Sequence, residues 1–104
     1  MVEVSAPELT LANVRAILRA EAPALEARFG VRLTGVFGSF ARGEAQPGSD
    51  VDVLAEMVGA PAIHDLLAAQ ERLEQRVGRP VDLAFRDALA PHWAVLVGQD
   101  VVAV

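Results

Sequence analysis

Gly38-Ser39-Phe40-Ala41-Arg42-Gly43-Glu44-Ala45-Gln46-Pro47-Gly48-Ser49-Asp50-Val51-Asp52 is the stretch on which the reading of this chain turns. An apolar run ends in Gly-Ser, ten residues follow, and a second run opens as Asp-x-Asp. Gly38 has no Cβ, so the chain can turn sharply there and backbone amides can approach an anion closely. Ser39 adds a hydroxyl at the start of a helical turn, where unpaired N–H groups favour negative charge. Asp50 and Asp52, two apart in a strand, project from one face with Cα atoms roughly 6.5 Å apart. Two carboxylates so placed can converge on a pair of divalent cations ~3.5–4 Å apart, the spacing used for in-line displacement at phosphorus.

Upstream of this stretch, Ser5-Ala6-Pro7-Glu8 reads as a capping box, with Val4 and Leu9 as a hydrophobic staple. Leu11, Val14, Leu18, Ala22, Leu25 and Phe29 then step by three or four along one helix face. Pro23 interrupts without changing the phase, which predicts a kinked helix or two helices end to end, stopped by Gly30. Residues 31–37 predict a strand with Val31, Leu33 and Phe37 on one face and Arg32 and Thr34 on the other. Residues 40–42 predict a single helical turn and residues 43–49, with Pro47-Gly48, a loop.

Downstream, residues 50–56 alternate as a second strand. Gly59-Ala60-Pro61 opens a helix on Ile63, Leu66, Leu67, Leu73 and Val77, closed by Gly78. Its charged residues Asp65, Glu71, Arg72, Glu74 and Arg76 read as a solvated face. Residues 81–85 predict a third strand, residues 88–97 a short helix around Pro91, and residues 101–104 a terminal strand without a charge to blunt an exposed edge. The order predicts an α/β fold, one domain spanning residues 1–104, as a two-layer sandwich with a mixed sheet and helices packed on it.

Asp82 stands between Val81 and Leu83, which should face the core. An acid among apolar neighbours in a central strand costs several kcal/mol unless a cation or hydrogen bonds answer it. If the third strand pairs with the second, Asp82 lies beside Asp50 and Asp52. Three clustered carboxylates raise at least one pKa, and a bound metal removes that penalty.

Composition closes off other chemistries. The chain has 104 residues, 53% of them apolar, and no cysteine, which excludes disulfides and thiolate zinc sites. All nine cations are arginine against 14 acids, a net charge of −5, so the footprint of a general nucleic-acid binder is missing. Without lysine there is no P-loop. No run suits a membrane span or a signal peptide, which predicts a cytoplasmic protein. An EF-hand fails because Leu54 and Ala55 stand where an oxygen ligand and a glycine are needed. Ser39 lacks the G-x-S-x-G elbow of a serine hydrolase.

The spacing Gly38-Ser39, ten residues, Asp50-Val51-Asp52, with Ala41-Arg42-Gly43 inside it, Ser49 before the first acid and Asp82 downstream, resembles the minimal nucleotidyltransferase (MNT) family of the DNA polymerase β-like superfamily. The resemblance covers the chain from about Leu11 onward. It implies ATP as substrate, two magnesium ions on Asp50, Asp52 and Asp82, and nucleotide contacts from Gly38, Ser39, Arg42 and Ser49. Short members of the family look like the antitoxins of HEPN/MNT toxin–antitoxin pairs, which implies AMP transfer to a tyrosine of a HEPN toxin, with homo- or hetero-oligomers open. Two alternatives stand beside it: an antitoxin that masks its partner without catalysis, and nucleotidyl transfer to a small molecule. Arg42 is left open between touching triphosphate, holding the loop and being solvated. His64, His92 and Trp93 read as surface or packing residues rather than ligands.

Overall fold

The structure, a computed structural model, describes residues 9–88 and 98–104. Helix α1 spans Leu11–Phe29, strand β1 Val31–Phe37, helix α2 Gly38–Arg42 and strand β2 Val51–Met57. Helix α3 follows at Ile63–Val77, then strand β3 at Val81–Phe85, a 3-10 turn at Arg86–Ala88 and strand β4 at Val102–Ala103. The four strands form one mixed sheet in the order β3-β2-β1-β4. β1 is antiparallel to β2 and β4, and β2 is parallel to β3 with α3 as the crossover.

One helix covers the whole first stripe. Its cap is Thr10, not Ser5: the Asn13 N–H donates to Thr10 Oγ1 at 3.1 Å, and the Thr10 N–H to Asn13 Oδ1 at 3.3 Å. Residues 9 and 10 are non-helical, so a helix starting at Ser5 does not continue into α1; the Ser5–Glu8 box itself lies outside the described residues. Pro23 sits on the exposed side, where the carbonyl that loses its donor can be hydrated, and the helix runs through it. Val14, Leu18 and Leu25 face inward, and Gly30, at φ 67°, ends the helix.

The strand β1 departs from simple alternation. Leu33 pairs with Ala55 but Gly35 pairs with Leu54, so Thr34 is an extra residue, a β-bulge. Thr34 Oγ1 donates to the Leu54 carbonyl at 2.9 Å, which anchors the bulge. The extra residue flips the later side chains, so fully buried Val36 enters the core and Phe37 does not. The core joins Val14, Leu18 and Leu25 of α1 and Ala69, Leu73 and Val77 of α3 to Val31, Leu33, Val36, Val51, Val53, Ala55 and Val81 of the strands. Each full burial of a Val or Leu side chain contributes about 1.5–3 kcal/mol.

The inward stripe of α3 is Leu66, Ala69, Leu73 and Val77; Leu67 is turned about 100° from Leu66 and stays 58% exposed, and Ile63 in the first turn is 71% exposed. Four of the charges expected to be solvated have partners instead. Arg72 and Arg76 meet Glu21 of α1 at 2.6 and 3.2 Å, Asp65 accepts from the Ala62 N–H, and Glu74 accepts from the Val81 N–H at 3.0 Å. β3 is an edge strand among the described residues, and Asp82 on it is exposed, so the burial cost expected of a central-strand acid does not arise. Of the helix expected at 88–97, Ala88 ends the 3-10 turn, and the rest, with His92 and Trp93, lies outside the described residues. Among the described residues no helix is long and apolar enough to cross a membrane.

Gly35 pairs with Ala103, and a Cβ there would stand 2.6 Å from Val101 Cγ1 and 2.8 Å from the Val102 carbonyl oxygen. Gly35→Ala should therefore push β4 off β1, at a cost of about 1–3 kcal/mol. The expected outcome is a melting point lower by several degrees. Amide exchange should quicken at Val104, whose N–H donates to the Thr34 carbonyl, while the β1–β2 ladder keeps its protection.

Candidate active site

Three chain ends meet at one end of the sheet. β1 finishes at Phe37, β2 starts at Val51 and β3 starts at Val81; Asp52 pairs with Phe37 on one side and with Asp82 on the other. Register partners on adjacent strands are about 4.8 Å apart, so Asp52 and Asp82 present their side chains side by side on the face away from α1 and α3. Asp50 lies one residue before β2 rather than within it, and is exposed.

Gly38 follows directly from β1, with φ at 71°. A Cβ on Gly38 would overlap the Asp52 carboxylate and stand 3.0 Å from its Cγ. The glycine is thus required twice, for its backbone angle and for the space the acid fills. Ser39 is the second residue of α2, and its carbonyl accepts from the Glu44 N–H at 2.8 Å, which closes the helical turn. Buried Phe40 plugs α2 into the core.

The charge at this junction is one-sided. Asp52 has its pKa raised, first by burial and then by the neighbouring carboxylates Asp82 and Asp50, with Arg42 opposing them. Arg42 does not point freely into the site: Nε donates to Glu44 and Nη1 to Asp100, each at 3.1 Å. These hydrogen bonds, Glu44's first, raise its pKa. In this structure Arg42 ties the loop residue Glu44 to Asp100. Ser49 likewise serves the loop; its Oγ accepts from the Gln46 N–H at 2.8 Å, and its own N–H donates to the Gln46 carbonyl at 2.9 Å.

Among the described residues, no three carboxylate or imidazole side chains stand close enough to form a ready-made cation site. Asp52 and Asp82 are register partners, and Asp50 stands outside the ladder. The donor chemistry nonetheless fits magnesium, which takes hard oxygens from one or two carboxylates together with substrate phosphates. Burial first, and the neighbouring acids second, make a cation beside Asp52 favourable.

Arg79 is the residue that sequence reasoning passed over. It sits between the α3 stop and β3, its Nη1 reaches the Gln46 and Ser49 carbonyls at 3.3 and 3.5 Å, and its guanidinium lies 5.5 Å from the Phe40 ring centroid. The available signal was an arginine in Gly78-Arg79-Pro80, directly ahead of Val81-Asp82.

A Gly-Ser turn against a strand-borne acid, with further acids just before that strand and on the next one, is the arrangement of a domain that handles nucleotide phosphates. Residues 18–95 match the nucleotidyltransferase domain family, and the chain belongs to it. It is 42% identical over 96 residues to protein adenylyltransferase MntA of Thermococcus cleftensis, covering 92% of this chain and 97% of that protein. A solved minimal nucleotidyltransferase is similar at a TM-score of 0.79 and 31% identity, covering 95% of this chain and all of that one. The fold is also shared, at a TM-score of 0.57 and 15% identity, with a chain from the complex of tri-AMPylated Shewanella oneidensis HEPN toxin with MNT antitoxin; 89% of this chain and 66% of that one are covered.

A carboxylate whose folded pKa lies above its unfolded value makes the folded state bind more protons, so stability falls as pH rises through the interval between the two values. In metal-free protein the destabilisation by Asp52 is complete above its raised folded pKa and absent below its ordinary value of 3.8. Asp52→Asn should therefore raise the melting temperature at pH 7 in the presence of a chelator. The gain should shrink toward zero below about pH 4, where both states bind the proton. Thermal denaturation of the two proteins across pH 3.5–8 (about that range) reads this directly.

Proposed function

We propose that the chain is a magnesium-dependent protein adenylyltransferase that moves AMP from ATP onto a tyrosine hydroxyl of a HEPN-type toxin and so acts as its antitoxin. The observation that carries this reading is the placement of Asp52, side by side with Asp82 and fitted into the space left by Gly38. The similarity to an adenylyltransferase over nearly the whole chain supports AMP as the group moved. The reading treats residues 1–104 as one catalytic domain.

Asp50, Asp52 and Asp82 would hold the magnesium ions. When bound, these neutralise the triphosphate and polarise its α-phosphorus. The acceptor oxygen attacks that phosphorus, a new P–O bond forms, the bond to the β-phosphate oxygen breaks, and pyrophosphate leaves with the electron pair. Asp82, exposed at the sheet edge, would receive the hydroxyl proton. Gly38 and Ser39 face the β- and γ-phosphates, and Ser49 and Arg42 keep the loop between them and Asp50 in shape. Positioning and charge neutralisation supply most of the rate.

The test is toxin activity and intact mass after treatment with substoichiometric chain. With ATP and magnesium, the toxin should lose activity and gain one or more AMP masses. Asp50→Asn and Asp52→Asn should stay folded and lower transfer by at least about a hundredfold. Protection only near one-to-one, without nucleotide or mass change, would make the protein a mask rather than an enzyme.

A further inference from the structure

Asp50 has no ladder pairing of its own, because β2 begins one residue later. Its position is set by its two neighbours, and both are held by the same short segment. The Ser49 carbonyl accepts from Arg79 Nη1 at 3.5 Å, and the Val51 N–H donates to the Pro80 carbonyl at 3.0 Å. Arg79 also reaches the Gln46 carbonyl at 3.3 Å, so one guanidinium nitrogen spans the turn that Ser49 and Gln46 close between themselves. Over the Phe40 ring the same guanidinium meets α2, the helix that carries Ser39. Two residues further along the chain stands Asp82.

We infer that Arg79 is a positioning residue, which fixes Asp50 and the α2 turn relative to Asp82. Among the described residues it makes no ion pair with a carboxylate; its donors go to backbone carbonyls and its face to an aromatic ring. Such use suits arginine better than lysine, because one nitrogen of a planar guanidinium can donate to carbonyls while the face of the group lies over an aromatic ring, whereas an ammonium is a strongly hydrated point charge. Through Arg79 and Pro80 the acid before β2 and the acid on β3 share one mechanical reference. Small displacements of a reacting constellation cost large factors in rate. The inference rests on the adenylyltransferase reading given above.

The experiment compares the unsubstituted chain with Arg79→Met, which keeps an unbranched side chain but loses the guanidinium with its donors and its place over Phe40, and Arg79→Lys, which keeps the charge. Each is assayed for kcat and KM for ATP, for melting temperature, and for Mn2+ retained in the presence of a non-hydrolysable ATP analogue. Arg79→Met should hold KM within about threefold while kcat falls by about tenfold or more, the pattern of an interaction that matters in the transition state. Its Mn2+ affinity should fall by a similar factor, and Arg79→Lys should recover only part of both losses. Unchanged kcat and Mn2+ affinity in Arg79→Met would overturn the inference, as would losses that track melting temperature alone. If Arg79→Met does not fold, Arg79→Lys decides: reduced kcat at an unchanged melting temperature supports the role, and full kcat ends it. No AMP transfer by the unsubstituted chain would instead remove the reading beneath it, whereas transfer that is insensitive to position 79 removes the inference alone.

Discussion

The Asp52 carboxylate occupies the space where residue 38 would carry a side chain, and much of the site's geometry depends on that fit. Because Gly38 is the first residue after β1, the acid sits directly beneath the turn into α2. Because Asp52 pairs with both Phe37 and Asp82, the same acid ties the β1 end to the β3 start. A methyl group at position 38 would have to move either the turn or the carboxylate. Neither can move alone, since α2 is plugged by buried Phe40 and β2 is flanked by strands on both sides.

This arrangement places negative charge where the protein has little to balance it. Arg42, which lowers the pKa of Asp52, is already shared between Glu44 and Asp100. Arg79 spends its donors on carbonyl groups. The imbalance is sustained by the rest of the fold, whose core is free of buried polar side chains among the described residues. A preformed deficit of positive charge favours ligands that bring cations with them, and such a site trades resting stability for readiness to bind.

That Asp52 would lie near Asp82 and the Gly-Ser turn was legible because it follows from residue type, spacing and strand pairing, all visible in one dimension. The strands were legible from β-branched alternation, and α1 and α3 from their glycine stops and apolar stripes. Three things were not. The bulge at Thr34 exchanged Val36 for Phe37 in the core, since a single extra residue flips the pattern and its cause is a partner twenty residues away. The exposure of Ile63 and Leu67 follows from which face of α3 meets the sheet, and aliphatic residues on two adjacent faces left that choice undecided. Arg79 was invisible because its partners are backbone carbonyls, which every residue possesses.

The parallel pairing of β2 with β3 bears on how the site comes into being. Parallel neighbours cannot be joined by a tight turn, so the chain must complete all of α3 before Val81 can find Val51. Thirty residues separate Asp52 from Asp82, and loop closure over that distance precedes any reward from their strands. The hairpin-like β1–β2 pair, with the Gly-Ser turn and Asp52, can form from nearer contacts. The contacts that join Asp52 to Gly38 thus span a shorter stretch of chain than those that bring Asp82 beside it. A ribosome-bound chain that has not yet released β3 would hold Asp50 and Asp52 without the strand that sets Asp82 beside them.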